Sequence, residues 1–361
     1  MNRTSAARLL LFPLIPLYRL ALLLRDIQLR TGLKPVRQLQ FPVVSVGNLS
    51  TGGSGKTPLT IALAKALTRR GLRVVVLSRG YGRTSELAAR VRVDGSVEEF
   101  GDEPLLIARD AEIPVYVAPQ RYNAGLLAEA DAHTTAQCPI HSRSVRMGGT
   151  PQTSTADENN QSSVHLLDDG FQHRHLARTV DILLLNEHDW DDWLLPAGNL
   201  REPCSAIRRA SVIAIPAEEP DLESRLRVWG WQGPVWKLRR TMKILGVAGP
   251  IAAFCGIARP AQFFAGLEAT DYHLTMRTAF PDHHCYTAQD LDQLVSAARA
   301  TNAAALVTTE KDLVRLGPLV SHIPESMPLK TARLRVEIEN QGAAIDWLMD
   351  RLGIASAHPP L

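Results

Sequence analysis

Short Val- and Leu-rich runs alternate with longer stretches of helical periodicity along the first two-thirds of the chain. Phe41–Val46 (FPVVSV) has the texture of a buried strand; a Gly-rich loop follows at 47–57, and the helical pattern of Pro58–Arg70 stops at Gly71. Arg73–Leu77 (RVVVL) predicts a second strand, and Pro114–Val117, Val164–Leu167, Ile182–Leu185 and Val212–Ile215 predict four more. Strands of this kind separated by helices imply a parallel sheet covered on both faces. The pattern therefore predicts a doubly wound α/β domain reaching about residue 215.

A second region begins near residue 243, with strands predicted at Ile244–Val247, Ile251–Phe254 and Ala305–Val307 and helices at Pro260–Leu267 and Ala288–Ala300. Two flanking segments, Val235–Arg239 (VWKLR) and Leu329–Val336 (LKTARLRV), both alternate apolar and basic residues. Such alternation suits a two-stranded ribbon that links two domains and acts as a hinge. Residues 131–163 break the pattern: they hold no Phe, Trp, Tyr or Leu and end in TSTADENNQSS. Too little apolar surface is available there to offset ordering, which predicts a mobile surface loop.

The N-terminus differs from both regions. Residues 9–24 read LLLFPLIPLYRLALLL, an apolar run interrupted by Pro13, Pro16 and Arg19. A membrane-spanning helix needs about 20 mostly apolar residues, and this run is shorter and carries a charge. A secretory signal needs a small-residue cleavage site, where this chain has Arg25-Asp26. An amphipathic helix lying in the membrane surface is expected instead, with an ordinary docking helix as the alternative.

Charge agrees with that expectation. The first 40 residues carry seven basic side chains against the single acid Asp26, a net +6 in a chain of +3, so the remainder sums to −3. The body is thus not a nucleic-acid binder by bulk charge. The four cysteines, Cys138, Cys204, Cys255 and Cys285, form neither a CxxC pair nor a disulfide framework, which predicts a reducing compartment.

Ser50-Thr51-Gly52-Gly53-Ser54-Gly55-Lys56-Thr57 follows a predicted strand and opens a predicted helix, the context a phosphate-binding loop requires. Backbone N–H groups of such a loop converge on phosphate oxygens at a helix N-terminus. Lys56 is expected to reach the β- and γ-phosphates and the Thr57 hydroxyl to ligate Mg²⁺. Ser50 stands where the GxxxxGK[ST] pattern has its first Gly. The strand Val164–Leu167 delivers Asp168 and Asp169, acids suited to the Mg²⁺ shell or, alternatively, to a strand-end turn with Gly170.

Phosphoryl transfer also needs a group to relieve an acceptor hydroxyl of its proton. Gly101-Asp102-Glu103-Pro104 precedes a helix, so Asp102 is either a cap or a site residue. Asp282-His283-His284 packs three titratable groups into a turn, as a base or base-orienting group or as a plain surface turn. Arg79, in Ser78-Arg79-Gly80-Tyr81-Gly82-Arg83, and Arg121 stand at strand ends, where they suit an anionic substrate. His173-x-His175 reads as a loop lining the nucleotide site in preference to a metal cluster, and Thr309-Glu310-Lys311-Asp312 as either a cleft-facing segment or a helix cap.

Taken in order, these strings resemble the tetraacyldisaccharide 4′-kinase family of the lipid A pathway. The resemblance rests on Val46–Ser50 with Gly52–Pro58, Ser78–Gly82, Gly101–Pro104, Asp168–His173 (DDGFQH), Leu195–Gly198 with Leu200–Pro203, Phe280–His284 (FPDHH) and Thr309–Asp312. Ser50 fits the family pattern, whereas the 131–163 stretch and Cys255 depart from it. The resemblance implies ATP- and Mg²⁺-dependent phosphorylation of the 4′-hydroxyl of a tetraacylated glucosamine disaccharide 1-phosphate. It implies Asp102 as the proton acceptor with His283 tuning or orienting it; the expected substrate contacts are Asn48, Arg79, Arg121 and His173.

For the fold, the resemblance implies two α/β/α domains joined by a two-stranded linker: a P-loop NTPase-like domain at 34–234 and a smaller α/β domain at 242–328. Residues 1–33 form the membrane-associating helix, 235–241 and 329–338 the linker, and 339–361 a C-terminal helix and tail. The expected partners are the lipid A disaccharide precursor and the membrane surface at the cytoplasmic face of the inner membrane, with no nucleic acid or protein partner. A P-loop kinase of a small soluble substrate and a membrane-bound NTP switch are the alternatives.

Overall fold

The computed structural model describes residues 8, 10–53, 55–136, 162–270 and 272–354. The Val- and Leu-rich runs do form strands: β1 (Val43–Asn48), β2 (Arg73–Ser78), β3 (Ala89–Arg90), β4 (Val115–Val117), β5 (Ser163–Asp168), β6 (Val180–Leu184) and β7 (Val212–Pro216). All of these but β3 are almost wholly buried, as strands covered on both faces should be. The later part adds β8 (Val235–Ile244), β9 (Ile251–Cys255), β10 (Leu274–Ala279), β11 (Ala305–Thr309) and β12 (Leu329–Ile338).

The strands make one twelve-stranded sheet in the order β10-β9-β11-β12-β8-β7-β6-β1-β5-β2-β4-β3. Neighbours run parallel except β3 with β4 and β8 with β12. The fold is therefore α/β with a mostly parallel sheet.

The register of the expected ribbon decides where a site can lie. Val235–Leu238 of β8 pairs with Ile213–Pro216 of β7, and the strand then runs on past β7 to Ile244. β12 returns antiparallel beside that overhang, from Ala332 opposite Ile244 to Ile338 opposite Leu238, and β11 runs parallel to the start of β12. The later strands thus lie beyond the carboxyl ends of the earlier ones and point back toward them. Ligands of open α/β sheets bind at strand carboxyl ends; here two such edges face each other.

Helices close the layers. α1 (Ile15–Arg30) precedes the sheet, and α2 (Lys56–Arg69) and α3 (Asp102–Ala111) cover one face, with Leu59, Leu63, Leu67, Leu105 and Ile107 in a shared core. The opposite face carries α4 (Arg121–Ala136) and α5 (Pro220–Val228) through Ala124, Ala128, Leu222 and Leu226. Around the later strands stand α6 (Pro260–Glu268), α7 (Ala288–Ala300) and α8 (Glu310–Leu316), while α9 (Gln341–Leu352) returns to the α2 face.

Several expectations change. The strand predicted at Ile244–Val247 is the end of β8, which stops before Gly246. The expected ribbon pairs as β8 with β12 and is continuous with the sheet on both sides. β10 was not expected, because its LTMRTA sequence is only half-buried and lacks a Val-rich run. Within the predicted loop 131–163, α4 extends to Ala136 and β5 begins at Ser163, both extending well-packed elements; residues 137–161 lie outside those described.

In α1, Pro16 occupies the first turn, where its missing N–H costs nothing. Ile15, Tyr18 and Leu22 pack on the core, while Leu14, Leu17, Leu20, Leu23, Leu24 and Ile27 are exposed. No described helix is long and apolar enough to cross a membrane.

Candidate active site

β1 ends at Asn48 and α2 begins at Lys56, leaving the chain a tight turn under the helix N-terminus. Gly55 caps that helix at φ 89°, a left-handed conformation that a side chain resists. Ser54 lies outside the described residues. Ser50 is fully buried and accepts a hydrogen bond from Asn48 Nδ2 at 3.1 Å, and its hydroxyl offsets part of the burial that raises the Asp189 carboxyl. A glycine would leave the buried Asn48 Nδ2 without this partner, which accounts locally for the departure from the P-loop pattern. The loop is further pinned by Thr51 N–H donating to Asn199 O at 2.8 Å and Arg201 N–H to Leu49 O at 2.7 Å.

At the end of β5 the two aspartates separate. Asp168 is buried and accepts from Thr57 Oγ1 at 3.4 Å and Thr60 Oγ1 at 3.1 Å. Asp169, at φ 51°, turns away and accepts two bonds from Arg201 at 2.8 and 2.9 Å, with Lys56 Nζ 3.6 Å distant. Burial, followed by the charges of Glu103 and Asp169, pushes the Asp168 carboxyl up from its ordinary value. Burial would raise Asp169 as well, but Lys56 and Arg201 outweigh it and hold that carboxyl well below the carboxylate range.

The second cluster joins the facing edges. Asp102 is the first residue of α3, with Gly101 in the capping position, so the cap alternative for Asp102 does not hold. Gly101 sits at φ 88°, and a Cβ there would lie 2.9 Å from the Tyr81 carbonyl, so the two loops meet only with glycine present. Asp102 is 2% exposed; Oδ1 accepts from Glu103 N–H at 2.8 Å. Its Oδ2 accepts from Arg315 Nε at 2.8 Å and lies 3.1 Å from His283 Nδ1.

Burial alone would raise the Asp102 carboxyl, but His283, Arg315 and Lys311 together hold it far below the usual range. The same hydrogen bond to Asp102 is the chief cause that raises the His283 pKa. His283 is strained at φ 59° and its side chain is 39% exposed, with the Tyr81 ring 5.3 Å away. Lys311 pairs with Glu103, and its charge acts on both Asp102 and Asp168. The Asp102–His283 pair and the acidic strand end therefore lie within reach of the same lysine charge.

Two of the four expected substrate contacts, Arg121 and Asn48, are taken up in holding the site together. Arg121 is buried and donates to the carbonyls of Asp168 and Asp169 at 3.0 and 2.9 Å, holding the strand end instead of facing an anion. Asn48 is wholly buried, its Oδ1 accepting from Lys56 Nζ at 3.0 Å and Arg201 at 2.6 Å, so it sets the lysine's position. His173 is half-buried; burial and then the charges of Arg121, His175, Arg178 and Arg79 lower its pKa to about 3, leaving it neutral. Arg79 is exposed at the end of β2, among these cationic neighbours. Cys255 lies in the core of β9, where burial and Asp312 push its thiol up to about 12 and leave it inert.

Arg201 and Arg315 carry more of the site than their sequence contexts indicate. Arg201 stood only inside the LREP string, and Arg315 had no motif at all. Thr309 does cap α8 through Asp312 N–H, while Lys311 of the same string pairs with Glu103.

A Mg²⁺ ion takes oxygen ligands and keeps several waters, so one carboxylate, one hydroxyl and phosphate oxygens suffice. Asp168 Oδ2 and Thr57 Oγ1 offer that oxygen pair, and the raised pKa of Asp168 marks a buried carboxylate short of positive charge. These residues fit the ion. Among the described residues no three His, Cys, Asp or Glu side chains group as a metal cage of their own.

Fold and site together define an α/β protein with a phosphate-binding loop at the edge of a parallel sheet. Comparison with known proteins narrows that class. The family model described as tetraacyldisaccharide-1-P 4′-kinase matches residues 7–353. A protein of Koribacter versatilis named tetraacyldisaccharide 4′-kinase is 37% identical over 348 residues, 93% of this chain and 97% of its own. A protein of the same name from Anaeromyxobacter dehalogenans (strain 2CP-C) is 36% identical over 331 residues, 84% of this chain and 80% of its own. The crystal structure of LpxK from Aquifex aeolicus in complex with ATP superposes with a TM-score of 0.69 at 29% identity, covering 96% of this chain and 99% of that one. The chain belongs to the tetraacyldisaccharide-1-P 4′-kinase family.

Proposed function

We propose that the protein transfers the γ-phosphate of ATP to the 4′-hydroxyl of a tetraacylated glucosamine disaccharide 1-phosphate, a step of lipid A biosynthesis. The observation that carries this reading is the meeting of two half-sites. Thr57 and Asp168 stand on one sheet edge, Asp102 and His283 face them, and Glu103 and Lys311 lie electrostatically between. Neither the soluble-substrate kinase nor the switch alternative gives the dyad and the lipid-like face of α1 a joint task.

Residues 50–57 cradle the phosphates, Lys56 moves from Asn48 toward the β- and γ-phosphates, and Asn48 and Arg201 set the point it leaves from. Thr57 and Asp168 hold Mg²⁺, which when bound neutralises charge on the phosphate oxygens. The Asp102–His283 pair relieves the acceptor hydroxyl of its proton. Asp102 was the expected acceptor, yet both its oxygens are engaged and its basicity is low. With His283 Nδ1–H donating to Asp102, the second ring nitrogen is the accessible lone pair, and Asp102 stabilises the imidazolium that forms. Arg79 remains the anion contact for the substrate.

The exposed leucines of α1 enter the acyl boundary at the cytoplasmic face of the inner membrane while Arg25 and Asp26 fasten the helix to Glu202 and Arg174. The β8–β12 ribbon hinges the two halves about the cleft. The test is incubation of the protein with ATP, Mg²⁺ and the disaccharide 1-phosphate lipid in mixed micelles, with NMR assignment of the product phosphate. New phosphate on the 4′ carbon supports the reading; ATP hydrolysis with unchanged lipid refutes it.

A further inference from the structure

Lys311 and Arg315 are one helical turn apart on α8 and so share a face. That face is set against the N-terminus of α3: Arg315 binds Asp102, and Lys311 binds Glu103. The lysine thereby comes from the later half of the chain into the gap between the dyad and Asp168, and its charge acts on Asp102, Glu103 and Asp168 alike. A phosphoryl group moving from a nucleotide on the P-loop to a hydroxyl at His283 must cross this gap. Its equatorial oxygens then meet the carboxylates of Asp102 and Glu103, and a cation beside them adds to the charge that Lys56 and Mg²⁺ supply.

We propose that Lys311 is a second phosphoryl-contacting lysine, leaving Glu103 to bind a γ-phosphoryl oxygen during transfer. This rests on the kinase reading above. In the step, the acceptor oxygen forms a bond to the γ-phosphorus while the bond from that phosphorus to the β–γ bridging oxygen breaks. The bridging oxygen keeps the electron pair and leaves on ADP, and the hydroxyl proton passes to the Asp102–His283 pair. Lys311 contributes charge only, as a compact ammonium that can turn from Glu103 to phosphate without losing its position. Contact with the γ-phosphoryl and not with ADP separates this role from a tie between the two halves.

The experiment uses the full chain with ATP, ADP and the disaccharide 1-phosphate lipid. Lys311→Met is expected to lower kcat by about 10²–10³-fold, the range for loss of one preorganised charge contact. It should also weaken ATP binding relative to ADP binding by calorimetry, with ADP affinity within about twofold of wild type. Lys311→Arg should recover part of kcat, and Glu103→Gln should cost less than about tenfold. Equal losses of kcat and of melting temperature in Lys311→Met and Glu103→Gln would overturn the proposal in favour of a structural ion pair. If wild type left the lipid unphosphorylated, the kinase reading would fall; the ATP-to-ADP ratio would still read Lys311, and an unchanged ratio would overturn its role.

Discussion

Arg201 grips Asp169 through two parallel hydrogen bonds of 2.8 and 2.9 Å while a third bond, 2.6 Å long, runs from the same guanidinium to Asn48 Oδ1. Asn48 Oδ1 also accepts from Lys56, so one arginine fixes the acid and the amide that register the P-loop lysine. The forked, planar geometry cannot be reproduced by an ammonium. Arg201→Lys is therefore expected to lower kcat/KM for ATP by about 10–100-fold. Steady-state kinetics check this; a Lys variant within twofold of wild type would refute the registering role.

Asp168 and Asp169 have different tasks in this arrangement. Asp168→Asn should raise the Mg²⁺ concentration needed for half-maximal rate and lower kcat by about 10²–10³-fold. Thr57→Ala should raise the same Mg²⁺ requirement. Asp169→Asn should leave the Mg²⁺ requirement near wild type and act through Lys56 instead. Mg²⁺ titrations of the three variants distinguish the residues, and identical Mg²⁺ curves would merge their roles.

The hydrogen bond from His283 to Asp102 raises the histidine pKa above its ordinary value of about 6.5. If neutral His283 takes the hydroxyl proton, kcat rises with pH through that elevated value. Asp102→Asn removes the raising partner, so the acidic limb shifts to lower pH as the maximal rate falls. The stability consequence has a definite sign. Stabilisation by the raised histidine is fully present below about 6.5 and is lost as pH climbs through the folded value. The depressed Asp102 contributes only above its ordinary pKa near 3.9. The melting deficit of His283→Ala should thus be largest between these limits and vanish at alkaline pH; a deficit that grows with pH would contradict the pairing.

Leu17 and Leu24 on α1 are 64% and 50% exposed, on the face turned from the core. Each leucine transferred to an acyl phase contributes about 1.5–3 kcal/mol. Leu17→Glu with Leu24→Glu should reduce cosedimentation with anionic phospholipid vesicles by at least about tenfold, with the melting temperature little changed. Unaltered cosedimentation would return α1 to an ordinary docking role.

Much of this architecture was legible in the sequence because local pattern determines it. Val-rich β1 and β2, the short apolar run of β11 and the helix Ala288–Ala300 follow from local pattern alone, and the P-loop from its strand–loop–helix context. The ribbon was legible in the alternation of VWKLR and LKTARLRV, but not its continuity with both flanking strands, since pairing across distant segments leaves no local trace. Arg315 escaped for the same reason: its partner Asp102 is 213 positions away. Arg121 misled because an arginine after a strand end can face a ligand or, as here, reach past the adjacent strand β2 to hold backbone carbonyls at the end of β5. The separation of Asp168 from Asp169 required the turn at Asp169 itself.

If the P-loop and the Asp102–His283 pair serve one transfer reaction, labelling of the lipid needs both. Single-turnover transfer of labelled γ-phosphate from ATP to the disaccharide 1-phosphate lipid tests it most directly, with wild type, Asp102→Asn and His283→Ala each first shown to bind ATP. The account predicts rapid labelling by wild type and a rate lowered about 10²–10⁴-fold in both variants at unchanged ATP affinity. Near-wild-type labelling by either variant, or a loss explained by ATP affinity alone, would contradict it.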